Sequence, residues 1–275
     1  MRREQLAINS VSTRQKDLVE MLDAYAAAGF PSVEFVLPHV KEWLGQGHTP
    51  DDVRRLLAER NLRAIGGFER TLECFTAPEL QQANMAFQVA NATLIHELGG
   101  GTLVVGADGP PAPVSDPFGA LETIAATLGQ LARRIEHLDV RIALEFNWGP
   151  LVKSLQSAAL VAAKVGHPQV GVLFDPAHYY TTPTKFEHLT ADTVRWITHV
   201  HLNDMRDKPG DLSNCNSDRV LPREGALDLP ALIGRLEQYG YAGYFSIEMF
   251  NEELWQLPAA EAARRCYASL LPLCA

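Results

Sequence analysis

The chain has 275 residues, 47% of them hydrophobic, and a formal net charge of −9, from 24 Lys and Arg against 33 Asp and Glu. That length can bury a large core, and the acidic balance disfavours a binder of the phosphate backbone, which needs a basic footprint, so no nucleic-acid partner is expected. No run approaches the roughly 18 apolar residues of a membrane span, no apolar signal core follows Met1, and Cys74, Cys215, Cys266 and Cys274 lack the spacing of a zinc knuckle or disulfide framework. A cytoplasmic protein with free thiols and no membrane partner is the expectation, and a homo-oligomer is compatible with it.

No linker, charge run or low-complexity stretch divides the chain, which reads as one domain over residues 1–275. Residues 6–10 form a first short strand, and apolar residues at helical spacing over 15–28, closed by Gly29, predict the first helix. Residues 32–37 predict a second strand ended by Pro38, and Pro50 with two following acids opens a helix. Residues 63–68 are a third strand, weakened by Gly66 and Gly67, and a long helix over 78–98 is closed by three glycines. A fourth strand over 102–106, a Pro-rich loop and a helix over 121–137 follow. Then come strands containing Glu145 and Asp175, with a helix over 153–165 between them. A loop over 179–185 leads to a helix ending near Trp196. A strand with His199 and His201, a polar loop over 205–225, a helix over 229–239, a strand over 244–250 and a last helix over 258–271 complete the chain. Eight strand–helix alternations predict an α/β fold, a single (β/α)8 barrel. The rival, a doubly wound open sheet, lacks a glycine-rich phosphate loop after any early strand.

Four apolar strands of the second half each carry an acid or imidazole near the C-terminal end: Ala143-Leu-Glu-Phe-Asn147, Val172-Leu-Phe-Asp-Pro-Ala-His178, His199-Val-His-Leu-Asn-Asp204 and Phe245-Ser-Ile-Glu-Met-Phe250. Strand C-terminal ends of a parallel barrel converge on one mouth. Glu145 and Glu248 are flanked by apolar residues on both sides, and alternation aims each at the interior, where a lone carboxylate is costly. Taken alone, an acid at a strand end is more often the solvated start of a loop. His199 and His201 lie on one face, and His201 is nearer the mouth, so His201 is assigned to a metal and His199 to the core. His178, hinged at Pro176, is assigned to substrate contact rather than ligation. Three carboxylates and one imidazole repel or desolvate unless a cation joins them, and this hard donor set suits one divalent ion, Mn²⁺, Mg²⁺ or Zn²⁺. Trp148 and Trp255 are candidates to line a pocket, with rim packing as the alternative. Arg206, just past the seventh strand, offers a fork of donors to substrate oxygens, with an exposed surface ion pair as the alternative.

At these motifs the chain resembles the xylose-isomerase-like barrels of sugar and polyol isomerases and epimerases, and within them the 2-keto-myo-inositol isomerase-like proteins. The segment Ser217-Asp-Arg-Val-Leu-Pro-Arg-Glu-Gly-Ala-Leu-Asp-Leu229 and the stretch through Glu252 and Trp255 share in the likeness. The resemblance implies Glu145, Asp175, His201 and Glu248 as metal ligands and Glu145 and Glu248 as the proton-transferring pair. It also implies that His178 and Arg206 touch substrate hydroxyls. The extra histidines of the three-zinc endonucleases of that superfamily are missing, since the seventh-strand loop reads Asp218-Arg-Val220. The expected activity is isomerisation or epimerisation of a small keto-polyol, a sugar or inosose, through an enediolate. The alternatives are a metal-dependent dehydratase of 3-dehydroshikimate or inosose type and a non-catalytic sugar-binding barrel.

Overall fold

A computed structural model describes residues 1–13, 17–149 and 151–275. Eight parallel strands close into a barrel: β1 (Leu6–Asn9), β2 (Ser32–Val36), β3 (Arg63–Phe68), β4 (Thr102–Val105), β5 (Arg141–Glu145), β6 (Val170–Phe174), β7 (Ile197–Leu202) and β8 (Phe245–Ile247). They neighbour one another in chain order, and β1 pairs with β8 to close the ring. The (β/α)8 expectation therefore holds. Among the described residues no helix is long and apolar enough to cross a membrane, and the four cysteines are unpaired.

Most element boundaries follow local chemistry. The first helix runs Leu18–Ala28; Asp17 caps it by accepting from the Glu20 amide at 2.8 Å, and Gly29 closes it at φ +100°. The expected start at Gln15 lies outside the described residues. Pro38 does not simply end β2: it sits in the first turn of a helix, Leu37–Leu44, where its missing amide is not needed. Likewise the chain after β6 is not an open loop but begins with a helical turn, Pro176–Thr181, capped by Asp175. The helix expected from Leu121 starts earlier, at Pro117 behind Asp116. Gly66 in β3 is there for a close approach, because a Cβ would collide with the carbonyl oxygen of Thr102 on β4.

Parallel partners in register share a face of the sheet, so the pairings sort each strand into two sides. Leu6, Ile8, Val33, Leu103, Val105, Ile142, Leu144, Val172, Val200, Leu202, Phe245 and Ile247 pack outward under the helices in the main core. The interior is lined by Ala7, Asn9, Glu34, Val104, Ala143, Leu173, His199, His201 and Ser246, of which Val104, Ala143 and Leu173 form a small separate apolar layer. One irregularity serves this sorting. The β6–β7 register passes from Val172↔Ile197 to Leu173↔His199, leaving Thr198 unpaired. That extra residue lets Ile197 join the outer core while His199 and His201 face the axis. Above the apolar layer the interior is polar, and that is where chemistry can occur.

Candidate metal centre and active site

Four strand ends supply the polar floor of the barrel mouth. Glu145 ends β5, Asp175 follows β6, His201 lies near the end of β7, and Glu248 follows β8. One ligand-type atom from each lies within 4.8 Å of all the others. His201 Nδ1 is 3.1 Å from Glu248 Oε2, 3.5 Å from Asp175 Oδ2 and 3.9 Å from Glu145 Oε1. Asp175 is fully buried and His201 nearly so.

The far side of each group is held by the protein. Asp175 Oδ1 accepts from the Ala177 amide at 2.7 Å and from Asn203 Nδ2 at 2.9 Å. Glu248 Oε1 accepts from Asn9 Nδ2 at 3.2 Å. His201 Nε2 lies 3.2 Å from both oxygens of Glu34. The sides left over face one another: among the described residues neither Asp175 Oδ2 nor His201 Nδ1 makes a hydrogen bond, although the Arg219 guanidinium stands 3.1 Å from Asp175 Oδ2 as an ion pair. Buried polar atoms are rarely orphaned unless something absent completes them. Orphans converging within a set of three carboxylates and an imidazole fit a divalent cation, so this cluster can hold one.

Electrostatics of the cluster agree. Burial alone would raise the Asp175 carboxyl, but the Arg219 guanidinium, with His201 and His178, holds it well below the usual carboxylate range. Burial likewise works against Glu145, and His178 and His201 nonetheless lower it. His201 moves the other way: burial would lower it, but Glu248 and Glu34 push it well above its ordinary value. His178, 3.5 Å from Glu145, is pushed up to about 10 in spite of its burial, chiefly by that carboxylate. A divalent cation would compete with a proton on His201 for this set of carboxylates.

A family model described as the xylose isomerase-like TIM barrel matches residues 22–270. The chain belongs to that family. Inosose isomerase of Bacillus velezensis is 33% identical over 143 residues, 51% of this chain and 50% of the relative; the chain thus matches about half the length of that protein. A 3-dehydroshikimate dehydratase of Pseudomonas aeruginosa is 27% identical over 269 residues, 93% of this chain and 40% of the relative. A crystal structure of IolI protein with a bound zinc atom superposes with a TM-score of 0.87 at 22% identity, covering 98% of this chain and 97% of that one. That likeness speaks to the fold.

In this family member the cluster opens into a cavity of about 330 Å³ lined by Glu145, His178, His201, Arg219 and Glu248, with Trp148 at its rim, half exposed. A wider groove of about 590 Å³ between residues 221–224 and 264–269 contains none of the clustered atoms, so the chemistry belongs to the smaller one. Two residues expected at the substrate are not in the smaller cavity. Arg206 lies in an adjoining groove with Phe250 and Glu253, 52% exposed and 3.9 Å from the Glu253 carboxylate. Trp255 lines that same groove, and its indole N–H donates to the Val11 carbonyl at 2.7 Å. The reason lies in the chain after β7, which is a ribbon rather than an open loop: Asp204–Met205 pair antiparallel with Arg219–Val220. That pairing brings Arg219, not Arg206, over the ligand cluster.

Arg219, which sequence reasoning left without a role, joins the cluster. It is 1% exposed, donates from Nη1 to Glu248 Oε2 at 2.7 Å and to the Glu248 carbonyl at 3.0 Å, and places Nη2 3.1 Å from Asp175 Oδ2. Its Nε donates to the Cys215 carbonyl at 2.7 Å, and its guanidinium covers the Phe250 ring. The ribbon carrying it is tied by Asp204, whose carboxylate accepts backbone N–H groups of Met205, Arg223, Gly225 and Leu227 at 2.8–3.1 Å. Glu34 was also missed, although Ser32-Val-Glu-Phe-Val36 shows the signature by which Glu145 and Glu248 were picked out, an acid inside an apolar strand.

Proposed function

We propose that this chain is a divalent-metal-dependent isomerase or epimerase of a small keto-polyol, a sugar or inosose, moving a proton between adjacent carbons with Glu145 and Glu248. The observation that carries this reading is the convergence of two glutamates from β5 and β8 on one cavity with Asp175 and His201. The likeness to inosose isomerases supports it. Glu145, Asp175, His201 and Glu248 would hold the ion, Mn²⁺, Mg²⁺ or Zn²⁺. When bound, it would supply Lewis-acid polarisation of neighbouring carbonyl and hydroxyl oxygens. Zinc is what the similar IolI structure holds.

The side chains then divide the work. Glu145 is 19% exposed at the cavity, the freest of the three carboxylates, and takes the α-proton as general base. Glu248, held by Arg219 and Asn9, takes a proton from solvent and delivers it to the adjacent carbon, while Glu145 releases the one it removed. His178, 3.5 Å from the Glu145 carboxylate at the cavity, contacts a substrate oxygen. Trp148 flanks the entrance and covers an apolar ring face.

Purified protein is expected to contain about one divalent ion per chain, and Asp175→Ala or His201→Ala to lose most of it, read by elemental analysis after dialysis. Full metal content in both variants would refute the assignment. Turnover on a panel of ketoses and inososes, before and after chelation, tests the activity itself. Arg206→Ala should change kcat/KM less than about fivefold, because an exposed pair of this kind contributes at most about 1 kcal/mol. A tenfold loss on the true substrate would restore Arg206 to the site.

A second reading has one specific support. The 3-dehydroshikimate dehydratase likeness runs along 93% of this chain. The same base at Glu145 could remove a proton with loss of water from the neighbouring carbon. A conjugated product absorbing in the ultraviolet would identify that lyase, and its absence with isomer formation would identify the isomerase.

A further inference from the structure

The metal-centre reading leaves one buried acid without a task. Glu34 lies on β2, 0% exposed, with its carboxylate inside the barrel just beneath the ligand cluster. We propose that Glu34 is a positioning residue for His201, holding the imidazole so that Nδ1 presents its lone pair to the point shared by Glu145, Asp175 and Glu248. The inference rests on that cluster holding a divalent ion.

Donor and acceptor counting leads to it. A carboxylate only accepts, and both Glu34 oxygens lie 3.2 Å from His201 Nε2, so the proton of the neutral ring belongs on Nε2. The lone pair is then left on Nδ1, the atom that lies 3.1 Å from Glu248 and 3.5 Å from Asp175 and has no hydrogen-bond partner among the described residues. The opposite tautomer would set an acceptor against two carboxylate oxygens inside a dry barrel, which is costly. On the other side of Glu34, His199 Nε2 lies 3.1 Å from its Oε2, close enough for an ion pair but without a hydrogen bond. The His199 ring stands edge-on to His201 at 5.3 Å and 82°. His199 thus has a place in the same chain of contacts, one step further from the metal. Asn9, the register neighbour of Glu34, spends its amide on Glu248 and offers Glu34 nothing. Without the two imidazoles the carboxylate would be buried uncompensated. Outer carboxylates of this kind orient metal-bound histidines and raise their basicity.

Glu34, His199 and His201 also present one ligand atom each within 4.8 Å, which raises a second cation as the competing account. It would require His201 to give up its last ring proton and ligate through both nitrogens.

The test is cobalt binding to metal-free protein, followed by calorimetry and by the visible absorption of bound Co²⁺. Glu34→Gln keeps the shape and is expected to weaken Co²⁺ binding about 10–100-fold, with one ion per chain before and after. In a His201→Asn background the same substitution should cost nothing further, since no ring remains to be oriented. NMR of wild-type Zn²⁺-loaded protein labelled with ¹⁵N-histidine should show His201 protonated at Nε2, a readout that needs no variant to fold. Wild-type Kd and spectrum in Glu34→Gln would overturn the proposal, as would an equal loss in both backgrounds or a proton on Nδ1. Two ions in the wild type falling to one in Glu34→Gln would make Glu34 a ligand instead. Wild-type protein that binds no divalent ion would overturn the metal centre itself, a result separate from the others.

Discussion

Glu145→Gln and Glu248→Gln should each lose several orders of magnitude in turnover while folding normally. Glutamine keeps the length of the side chain and can offer an oxygen to an ion, but it cannot accept a proton. A general base alone typically contributes about 10²–10⁴-fold. The two substitutions are not equivalent in their surroundings. Glu145 meets His178 and His201 only at 3.5 and 3.9 Å, so its amide is accommodated with little disturbance. Glu248 Oε2 takes a 2.7 Å bond from Arg219, and an amide nitrogen placed there would face the guanidinium. Glutamine at 248 should therefore turn its oxygen towards Arg219, and its loss of activity should come with a modest fall in stability. Run in deuterium oxide, the wild-type reaction should incorporate label at the carbon that is reprotonated. Near-wild-type rates in both glutamine variants would end the two-carboxylate mechanism. Many turnovers without label would point to a hydride shift or to complete internal return of the proton.

Arg219→Met is expected to produce the largest loss of stability. Methionine retains much of the side-chain volume but removes the buried charge shared by Asp175 and Glu248. Breaking a buried ion pair by deleting one partner costs about 3–5 kcal/mol, because the other charge is stranded. At roughly 2–4 °C per kcal/mol for chains of about this size, Tm should fall by roughly 6–20 °C in metal-free protein. The three ligand carboxylates carry −3, of which a divalent ion would offset only +2, leaving Arg219 to offset the remainder. Saturating metal should consequently recover part of the loss and leave a charge-unbalanced site with weaker catalysis. An unchanged Tm in the presence of chelator would show that Arg219 is not the counter-charge. Asp204→Ala, which releases the four backbone amides holding the ribbon, should move Tm in the same direction.

The barrel and its mouth were legible because they depend on local periodicity. Apolar strands alternating with amphipathic helices dictate a parallel closed sheet, and β3 was read to its end residues despite two glycines. Acids within apolar runs marked Glu145 and Glu248, and Asp175 and His201 followed from their places at strand ends. Those four side chains do meet. What the sequence did not determine depends on contacts between residues far apart in the chain. Arg219 sits in a polar stretch without periodicity. Only the antiparallel pairing of 204–205 with 219–220 and the Asp204 anchor carry it over the cluster and leave Arg206 outside. The register slip at Thr198, on which the inward aim of both histidines depends, is a property of the β6–β7 pair and not of either strand alone. Glu34 shows the same division: its strand pattern made it buried, but that it faces His201 across the barrel was decided when β2 and β7 closed around one axis.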